Sequence, residues 1–224
     1  MNRNKKGKWK ARFRESLLFF FLPPKCAACG IVGYKELCPN CREALEDAFE
    51  PRKYIAAGGN GFADAMFCLF PYKNLVVRRL LHGWKLVDYR DYPDIFLPYA
   101  RRFLKKKLLP ETIHKIAYLH RRRPARYKIG FDQAERIATL FAENLNLPVE
   151  ALLIRQGHAK TQHKQKYERR EANVRGAFRT ETEFAGETVL LIDDIVTTGA
   201  TAREGARILK AAGAMKVYVL SIAH

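Results

Sequence analysis

The residues most suited to chemistry lie in one segment that joins carboxylates to a hydroxyl-rich loop. Residues 189–201 are Val-Leu-Leu-Ile-Asp-Asp-Ile-Val-Thr-Thr-Gly-Ala-Thr. The adjacent carboxylates of Asp193 and Asp194 follow four apolar residues, and carboxylate oxygens suit divalent metals. The loop over 197–201 then offers hydroxyls and backbone N–H groups at the start of a helical pattern, which suits an anion. The segment therefore predicts a ligand with a phosphate and with hydroxyls or a divalent metal.

Two other interpretations of this segment are open from the residues alone. A P-loop nucleotide binder would carry Gly-x-x-x-x-Gly-Lys-[Ser/Thr] before such a strand, and the chain has no such motif. A strand that merely ends in two solvated carboxylates would leave the threonine-rich loop as a coincidence. The segment instead closely resembles the loop of the type I phosphoribosyltransferases that binds phosphoribosyl diphosphate (PRPP).

That resemblance implies a role for each residue of the segment. Asp193 and Asp194 are the implied catalytic residues, which hold the ribose hydroxyls directly or through magnesium. The 5′-phosphate is implied to lie against the residues of the loop, which are Thr197, Thr198, Gly199, Ala200 and Thr201. PRPP and magnesium are therefore the ligands that this resemblance implies.

Four cysteines near the N-terminus form the second chemical motif. Cys26, Cys29, Cys38 and Cys41 follow the spacing Cys-x2-Cys-x8-Cys-x2-Cys, and two such pairs supply four thiolates for one tetrahedral zinc ion. Disulfides are the alternative, but we find no cleavable secretory signal, and paired cysteines in a reducing cytosol usually bind metal. We therefore predict a closed, structural zinc site in a cytoplasmic protein. Cys68 is expected to be a small buried apolar residue.

The charge of the chain indicates polyanionic partners. It carries 41 Lys and Arg residues against 23 Asp and Glu, a net charge of +18 over 224 residues, which favours nucleic acid, phosphates or an anionic membrane surface. Residues 1–14 hold seven basic residues and no acid, and residues 155–179 hold eight against two. A third cluster consists of Arg121, Arg122, Arg123, Arg126 and Lys128. Because aromatic residues lie close by, single-stranded DNA is the expected partner, and a solvated basic face is the alternative.

A short apolar segment follows the basic N-terminus. Residues 17–22 are apolar and are followed by Pro23-Pro24, whereas a helix that spans a bilayer needs about twenty residues. We expect an apolar helix that packs against the rest of the protein, without stable membrane insertion.

The pattern of apolar residues predicts the elements that position these motifs. Strands are expected over residues 63–72, 116–119, 149–154, 189–192 and 217–222. Amphipathic helical patterns lie between several of them. Strand and helix alternate from about residue 112, which predicts an α/β fold with a mainly parallel sheet and helices on both faces.

The two motifs occur together in the ComF family, the competence-associated proteins of bacteria, and the chain resembles that family from about residue 17 onward. Further similar segments are Leu22–Cys26, Leu80–Arg90, Gly130–Ala134 and Thr161–Phe178. The resemblance implies a sheet of the type I phosphoribosyltransferase kind with a small N-terminal zinc-binding module. It also implies DNA uptake as the process and a DNA translocase of the competence system as a partner.

The expected organisation has three parts. They are a basic flexible tail over 1–15, a zinc-knuckle module over 16–50 and a phosphoribosyltransferase-like domain over 51–224. The chain departs from the family at residues 117–120, which are Ala-Tyr-Leu-His where the family usually has Pro-Val-Pro. Cations for the diphosphate are expected from Arg121, Arg122 and Arg123 and, in a loop over the site, from Arg169 and Arg170.

Two functions of different class follow from these features. The first is a ComF-type protein that binds PRPP or a related ribose phosphate with magnesium, contacts single-stranded DNA and acts in natural transformation. The alternative is a metabolic phosphoribosyltransferase that joins a base or an amine to ribose 5-phosphate and releases diphosphate. The sequence indicates no acceptor base, so a turnover assay would separate the two.

Overall fold

The computed structural model describes residues 23–54, 61–86, 92–107, 113–119, 133–155 and 174–224. The helices in these ranges are α1 (Pro39–Asp47), α2 (Leu75–Leu86), α3 (Tyr92–Lys107), α4 (Gln133–Leu145) and α5 (Ala200–Ala211). The strands are β1 (Arg52–Tyr54), β2 (Ala65–Phe70), β3 (Lys115–Tyr118), β4 (Val149–Glu150), β5 (Ile154–Arg155), β6 (Phe178–Arg179), β7 (Thr188–Ile195) and β8 (Lys216–Ala223).

Six of these strands form one mostly parallel sheet in the order β1-β2-β8-β7-β3-β4. β1 pairs with β2 in the antiparallel sense, and the other four pairings are parallel. The crossover connections of a parallel sheet require helices on its faces, as the alternating pattern predicts. β7 lies in the interior of the sheet between β8 and β3, so the segment with the two carboxylates ends a central strand.

The residues of β7 contribute alternately to two hydrophobic cores. Leu190 and Ile192 belong to the core that includes residues of α1 to α4, whereas Val189 and Leu191 belong to the core under α5. All four side chains are fully buried. A continuous apolar run is therefore required here, because successive residues of a strand face opposite sides and both sides are covered.

The four-cysteine segment packs onto the first of these cores. Leu45 of α1 is fully buried, and Phe49, just after α1, lies with its ring 5.6 Å from that of Phe70 at the end of β2. Arg102 of α3 lies over the Phe49 ring at 4.1 Å and donates a hydrogen bond of 2.6 Å to Glu46. These contacts join the segment to α3 and to the sheet.

The structure differs from the predicted elements in several places. The strand expected over 149–154 is two strands: β4 joins the main sheet and β5 pairs with β6 in a separate two-stranded sheet. The reason is that Leu152 and Leu153 are both buried in the core under α5, which a strand with alternating faces does not allow. β7 continues past residue 192 to Ile195.

Candidate functional site

Asp193 and Asp194 lie near the C-terminal end of β7, at the carboxyl edge of the sheet. Both are half-buried. Asp193 follows Leu191 on the face that α5 covers, and Asp194 follows Ile192 on the other face, so the two carboxylates leave the strand on opposite sides. One oxygen of Asp193 accepts a hydrogen bond of 2.8 Å from the Asp194 N–H, and Asp194 accepts one of 2.9 Å from the Ile195 N–H. Hard carboxylate oxygens of this kind fit magnesium.

The loop after β7 leads directly into the N-terminus of α5. Gly199 is the N-cap residue, with φ of 74°, a left-handed conformation that favours glycine. Thr198 is buried and its hydroxyl accepts a hydrogen bond of 3.3 Å from the Ala200 N–H, while Thr197 is exposed. The first N–H groups of a helix have no partner within the helix and carry a partial positive charge. The loop and helix start therefore have the geometry of an anion site.

Hydrogen bonds from three parts of the chain hold this loop in place. The hydroxyl of Tyr54 in β1 donates a hydrogen bond of 2.9 Å to the carbonyl oxygen of Thr197, across 143 positions of sequence. The Val196 N–H donates to the carbonyl of Ala223 at 3.0 Å, and Arg203 donates to the carbonyl of Thr198 at 3.2 Å. β1, β8 and α5 thus all fix the loop.

The structure brings Cys26, Cys29, Cys38 and Cys41 together. Their sulfur atoms all lie within 4.8 Å of one another, and the Sγ atoms of Cys29 and Cys38 are 3.7 Å apart. Four sulfurs around a zinc ion at about 2.3 Å would be about 3.8 Å apart. The cluster is therefore compatible with a structural zinc ion.

The backbone around this cluster supports the thiolate form of one ligand. Burial raises the pKa of the Cys26 thiol, but hydrogen bonds from backbone N–H groups, including that of Cys38 at 3.3 Å, outweigh it and lower the pKa to about 6. Gly30 takes φ of 79° in the turn after the first pair of cysteines. Backbone hydrogen bonds thus fix the chain around the sulfur atoms.

Cys68 lies apart from the cluster and is buried in β2, as predicted. Burial raises the pKa of its thiol to about 11, and the Ser221 hydroxyl donates a hydrogen bond of 3.0 Å to its sulfur. A thiol in this state is a poor nucleophile and a poor metal ligand.

Comparison with known proteins agrees with this geometry. The phosphoribosyl transferase domain family matches residues 132–223. Competence protein F of Haemophilus influenzae is 29% identical over 211 residues, which cover 90% of this chain and 85% of that protein. The chain is therefore similar to competence protein F over most of its length. DNA utilization protein YhgH of Salmonella typhi is 32% identical over 112 residues, or 50% of this chain and 48% of that protein.

Among solved structures, an adenine phosphoribosyltransferase aligns over 80% of this chain and 89% of that chain, at 15% identity and a TM-score of 0.40. The resemblance to the ComF family is confirmed, and so is the α/β fold class: a mostly parallel sheet of the type I phosphoribosyltransferase kind with a four-cysteine cluster near the N-terminus.

Several predicted residues lie outside the described part of the chain. They are the diphosphate candidates Arg121, Arg122, Arg123, Arg169 and Arg170. The basic residues 1–14 and most of the cluster over 155–179 lie outside it as well. Within the described ranges, no helix is both long enough and apolar enough to cross a bilayer.

One charged group near the loop was missed from the sequence. Glu204 of α5 is 7% exposed. It accepts two hydrogen bonds from Arg207, at 2.8 and 2.9 Å, and a third of 2.8 Å from the Gly176 N–H. The Arg207 guanidinium holds the pKa of this carboxyl below its usual range. The i,i+3 spacing to Arg207 was a visible signal, but it is also common on exposed helices.

Proposed function

We propose that this protein is a competence-related, phosphoribosyltransferase-like protein that binds PRPP, or a related ribose phosphate, together with magnesium. Asp193 and Asp194 hold the ribose hydroxyls and the metal, and the loop of Thr197, Thr198, Gly199, Ala200 and Thr201 binds the 5′-phosphate. Arg121, Arg122, Arg123, Arg169 and Arg170, outside the described ranges, are the proposed cations for the diphosphate.

The observation that carries this proposal is that two carboxylates and the N-terminus of a helix lie at the same edge of the sheet. The acidic pair ends a central parallel strand, where open α/β sheets bind their ligands. α5 begins after a four-residue loop, residues 196–199, whose Gly199 has φ of 74°. An anion at the helix start and a metal or hydroxyls at the carboxylates match the two halves of a ribose phosphate.

The proposal is tested by calorimetry with PRPP and magnesium. The double variant Asp193→Asn, Asp194→Asn should bind PRPP at least tenfold more weakly, a loss of about 1.4 kcal/mol or more. The matched control is Glu43→Gln with Asp47→Asn, which also removes two carboxylates but from exposed positions on α1. Equal PRPP affinity in the acidic-pair variant and in the control would refute the assignment.

We further propose that Cys26, Cys29, Cys38 and Cys41 bind one structural zinc ion. The sulfur distances and the all-thiolate ligand set support it, and a ligand set that is complete without water has no open position for catalysis. The ion would stabilise the segment that packs on Phe70 and α3.

Single-stranded DNA is the proposed macromolecular partner, in a cytoplasmic process of DNA uptake with a DNA translocase of the competence system. The net charge of +18 and the similarity to competence protein F and to a DNA utilization protein support this. Binding of a labelled single strand should weaken steeply as salt increases. Absence of binding at low salt would remove the nucleic-acid role and leave the PRPP site untouched.

A metabolic transferase is the second candidate function, favoured by the half-buried acidic pair beside the loop. Incubation with PRPP, magnesium and a panel of bases and amines separates the two. Release of diphosphate that depends on an acceptor and disappears in the acidic-pair variant would favour the transferase. Tight DNA binding without turnover would favour the role in DNA uptake.

A further inference from the structure

The phosphate loop, residues 197–201, contains two backbone N–H groups that find no acceptor among the described residues. They belong to Thr198 and Gly199, whereas the Ala200 N–H donates to the Thr198 hydroxyl at 3.3 Å. Thr198 is 6% exposed, and a buried N–H without a partner is rare unless it has a function. The direction of these two N–H groups therefore decides whether the loop can bind an anion.

Two side chains from outside the loop hold the carbonyl groups of the same two peptides. The Tyr54 hydroxyl donates a hydrogen bond of 2.9 Å to the Thr197 carbonyl, and the Arg203 guanidinium donates one of 3.2 Å to the Thr198 carbonyl. No peptide bond in the described ranges is cis, so the carbonyl and the following N–H of each planar unit point in opposite directions. Tyr54 therefore turns the Thr198 N–H away from itself, and Arg203 does the same with the Gly199 N–H.

Both donor side chains are themselves held in place. The ring of Tyr54 packs against that of His224 with centroids 4.0 Å apart. The aliphatic part of Arg203 lies against Gly61, where an added Cβ would come within 3.2 Å of the Arg203 Cδ. The two carbonyl groups are therefore fixed before any ligand arrives, and such preorganisation lowers the cost of binding.

We propose that Tyr54 and Arg203 are positioning residues of the phosphate loop. Each holds one carbonyl so that the next N–H, of Thr198 or of Gly199, faces the bound anion, and neither side chain needs to touch the ligand. Successive N–H groups that face one anion form a backbone site for phosphate. The assignment of that anion as the 5′-phosphate of PRPP rests on the proposed function, whereas the effect of the two side chains on an anion at the loop does not.

The test is titration of the full chain with inorganic phosphate, followed by NMR at the amide signals of Thr198 and Gly199. Inorganic phosphate is the probe because it has no ribose hydroxyls and so needs no contact with Asp193 or Asp194. In the wild type both amide protons should shift downfield, since both donate to the anion. Absence of a shift at either amide would overturn the proposal.

Two variants should change these signals in a crossed pattern. Tyr54→Phe removes only the hydroxyl, and it should reduce the shift at Thr198 at least about threefold and leave that at Gly199, because hydrogen bonds weaken steeply when they lose alignment. Arg203→Met keeps the aliphatic contact with Gly61 and should do the reverse. Loss of charge alone, or a general loosening of the loop, would instead change both amides together and would overturn the proposal.

Each variant has a matched control. Tyr72→Phe also removes a tyrosine hydroxyl, one that bonds to His82 Nε2 at 2.8 Å and not to the loop. Arg79→Met removes one exposed cation from α2. Both controls should keep the wild-type shifts at the two amides, and urea denaturation should show that all four variants are folded. Changes in the controls as large as those in the test variants would overturn the proposal.

Calorimetry with PRPP and magnesium separates this inference from the proposed function. If phosphate gives the crossed pattern and the wild type does not bind PRPP, the proposed function fails alone. If PRPP binding depends on the acidic pair but Tyr54→Phe and Arg203→Met bind PRPP as tightly as their controls, this inference fails alone. Both stand if each of these variants shows the crossed pattern and binds PRPP at least about fivefold more weakly.

Discussion

Replacement of the buried Glu204 tests how α5 is tied to the segment that begins at residue 174. We consider Glu204→Gln, which keeps the size of the side chain and removes its charge. Glutamine has one acceptor oxygen, so it satisfies either Arg207 or the Gly176 N–H. The NH₂ group of the glutamine then faces the other of these two donors and cannot accept its hydrogen bond. The site is buried, since Glu204 is 7% exposed, so water does not replace the lost bond.

The magnitude follows from the hydrogen bonds that are lost. Removing one partner of a buried ion pair costs about 3–5 kcal/mol, but the side chain of Arg207 is 35% exposed and keeps part of its hydration. Solvent screening reduces the value of such a half-exposed pair. We therefore expect the free energy of unfolding to fall by about 2 kcal/mol, which corresponds to a decrease in Tm of about 4–8 °C for a chain of this size.

The effect should also depend on pH in a defined direction. The pKa of Glu204 is lowered in the folded protein, mainly by the hydrogen bonds from Arg207. Its stabilising contribution is therefore complete above the pKa of an unfolded glutamate, about 4.3, and is lost as the pH falls through the folded pKa. The difference in stability between wild type and variant should be constant near neutral pH and should shrink below about pH 4.3.

Urea denaturation at several pH values measures this difference, and amide hydrogen exchange at Gly176 shows where it arises. The control is Glu181→Gln, which removes a carboxylate whose pair with Arg179 is exposed on both sides; it should change stability by less than about 0.5 kcal/mol. Equal stability losses in Glu204→Gln and the control, with unchanged exchange at Gly176, would refute the reasoning.

Two further predictions concern the cysteine cluster and a glycine turn. Cys38→Ser should lower zinc content from about one ion per chain and decrease Tm, because a structural metal contributes folding energy; metal analysis decides, and two disulfides without zinc in the wild type would contradict it. Gly186→Ala should cost about 1–2 kcal/mol from its φ of 94° alone. Gly213→Ala should exceed that by at least about 1 kcal/mol in urea denaturation, since its Cβ would overlap the Phe184 carbonyl oxygen; equal costs would exclude the overlap.

The parts of the fold that the sequence predicts well are those whose signal is local. The run from Val189 to Ile192 is apolar at every position, which is required of a strand covered on both faces. α5 ends at Ala211, and the nearby Gly213, with φ of 100°, is a local signal for the end of a helix. The cysteine spacing is equally local, because only two residues separate the cysteines of each pair. Neither the helix end nor the cluster depends on a distant partner.

The missed features depend on partners far along the chain. β1 has three residues and is a strand because it pairs with Met66 to Cys68 of β2. The cores place Leu152 and Leu153 on one side and so break the strand expected there. Glu204 lies on the helix that the pattern predicts. Its hydrogen bond with the Gly176 N–H, 28 residues earlier, connects that helix to the segment before β6, and this contact is not visible in the local pattern. Apolar periodicity carries no information about such polar contacts.

The same reasoning explains why a cleft of about 750 Å³, lined in part by Glu50, Tyr54 and His224, cannot be predicted from the sequence. Tyr54 meets His224 because β1 lies next to β2 and β2 lies next to β8 in the sheet. Glu50 stands at the cleft because its N–H donates to the carbonyl of Leu69, while the preceding Phe49 packs on Phe70. Phe49 is in turn covered by Arg102. The four-cysteine segment therefore positions one wall of the cleft, so a variant that loosens this segment should disturb the cleft before the central strands unfold.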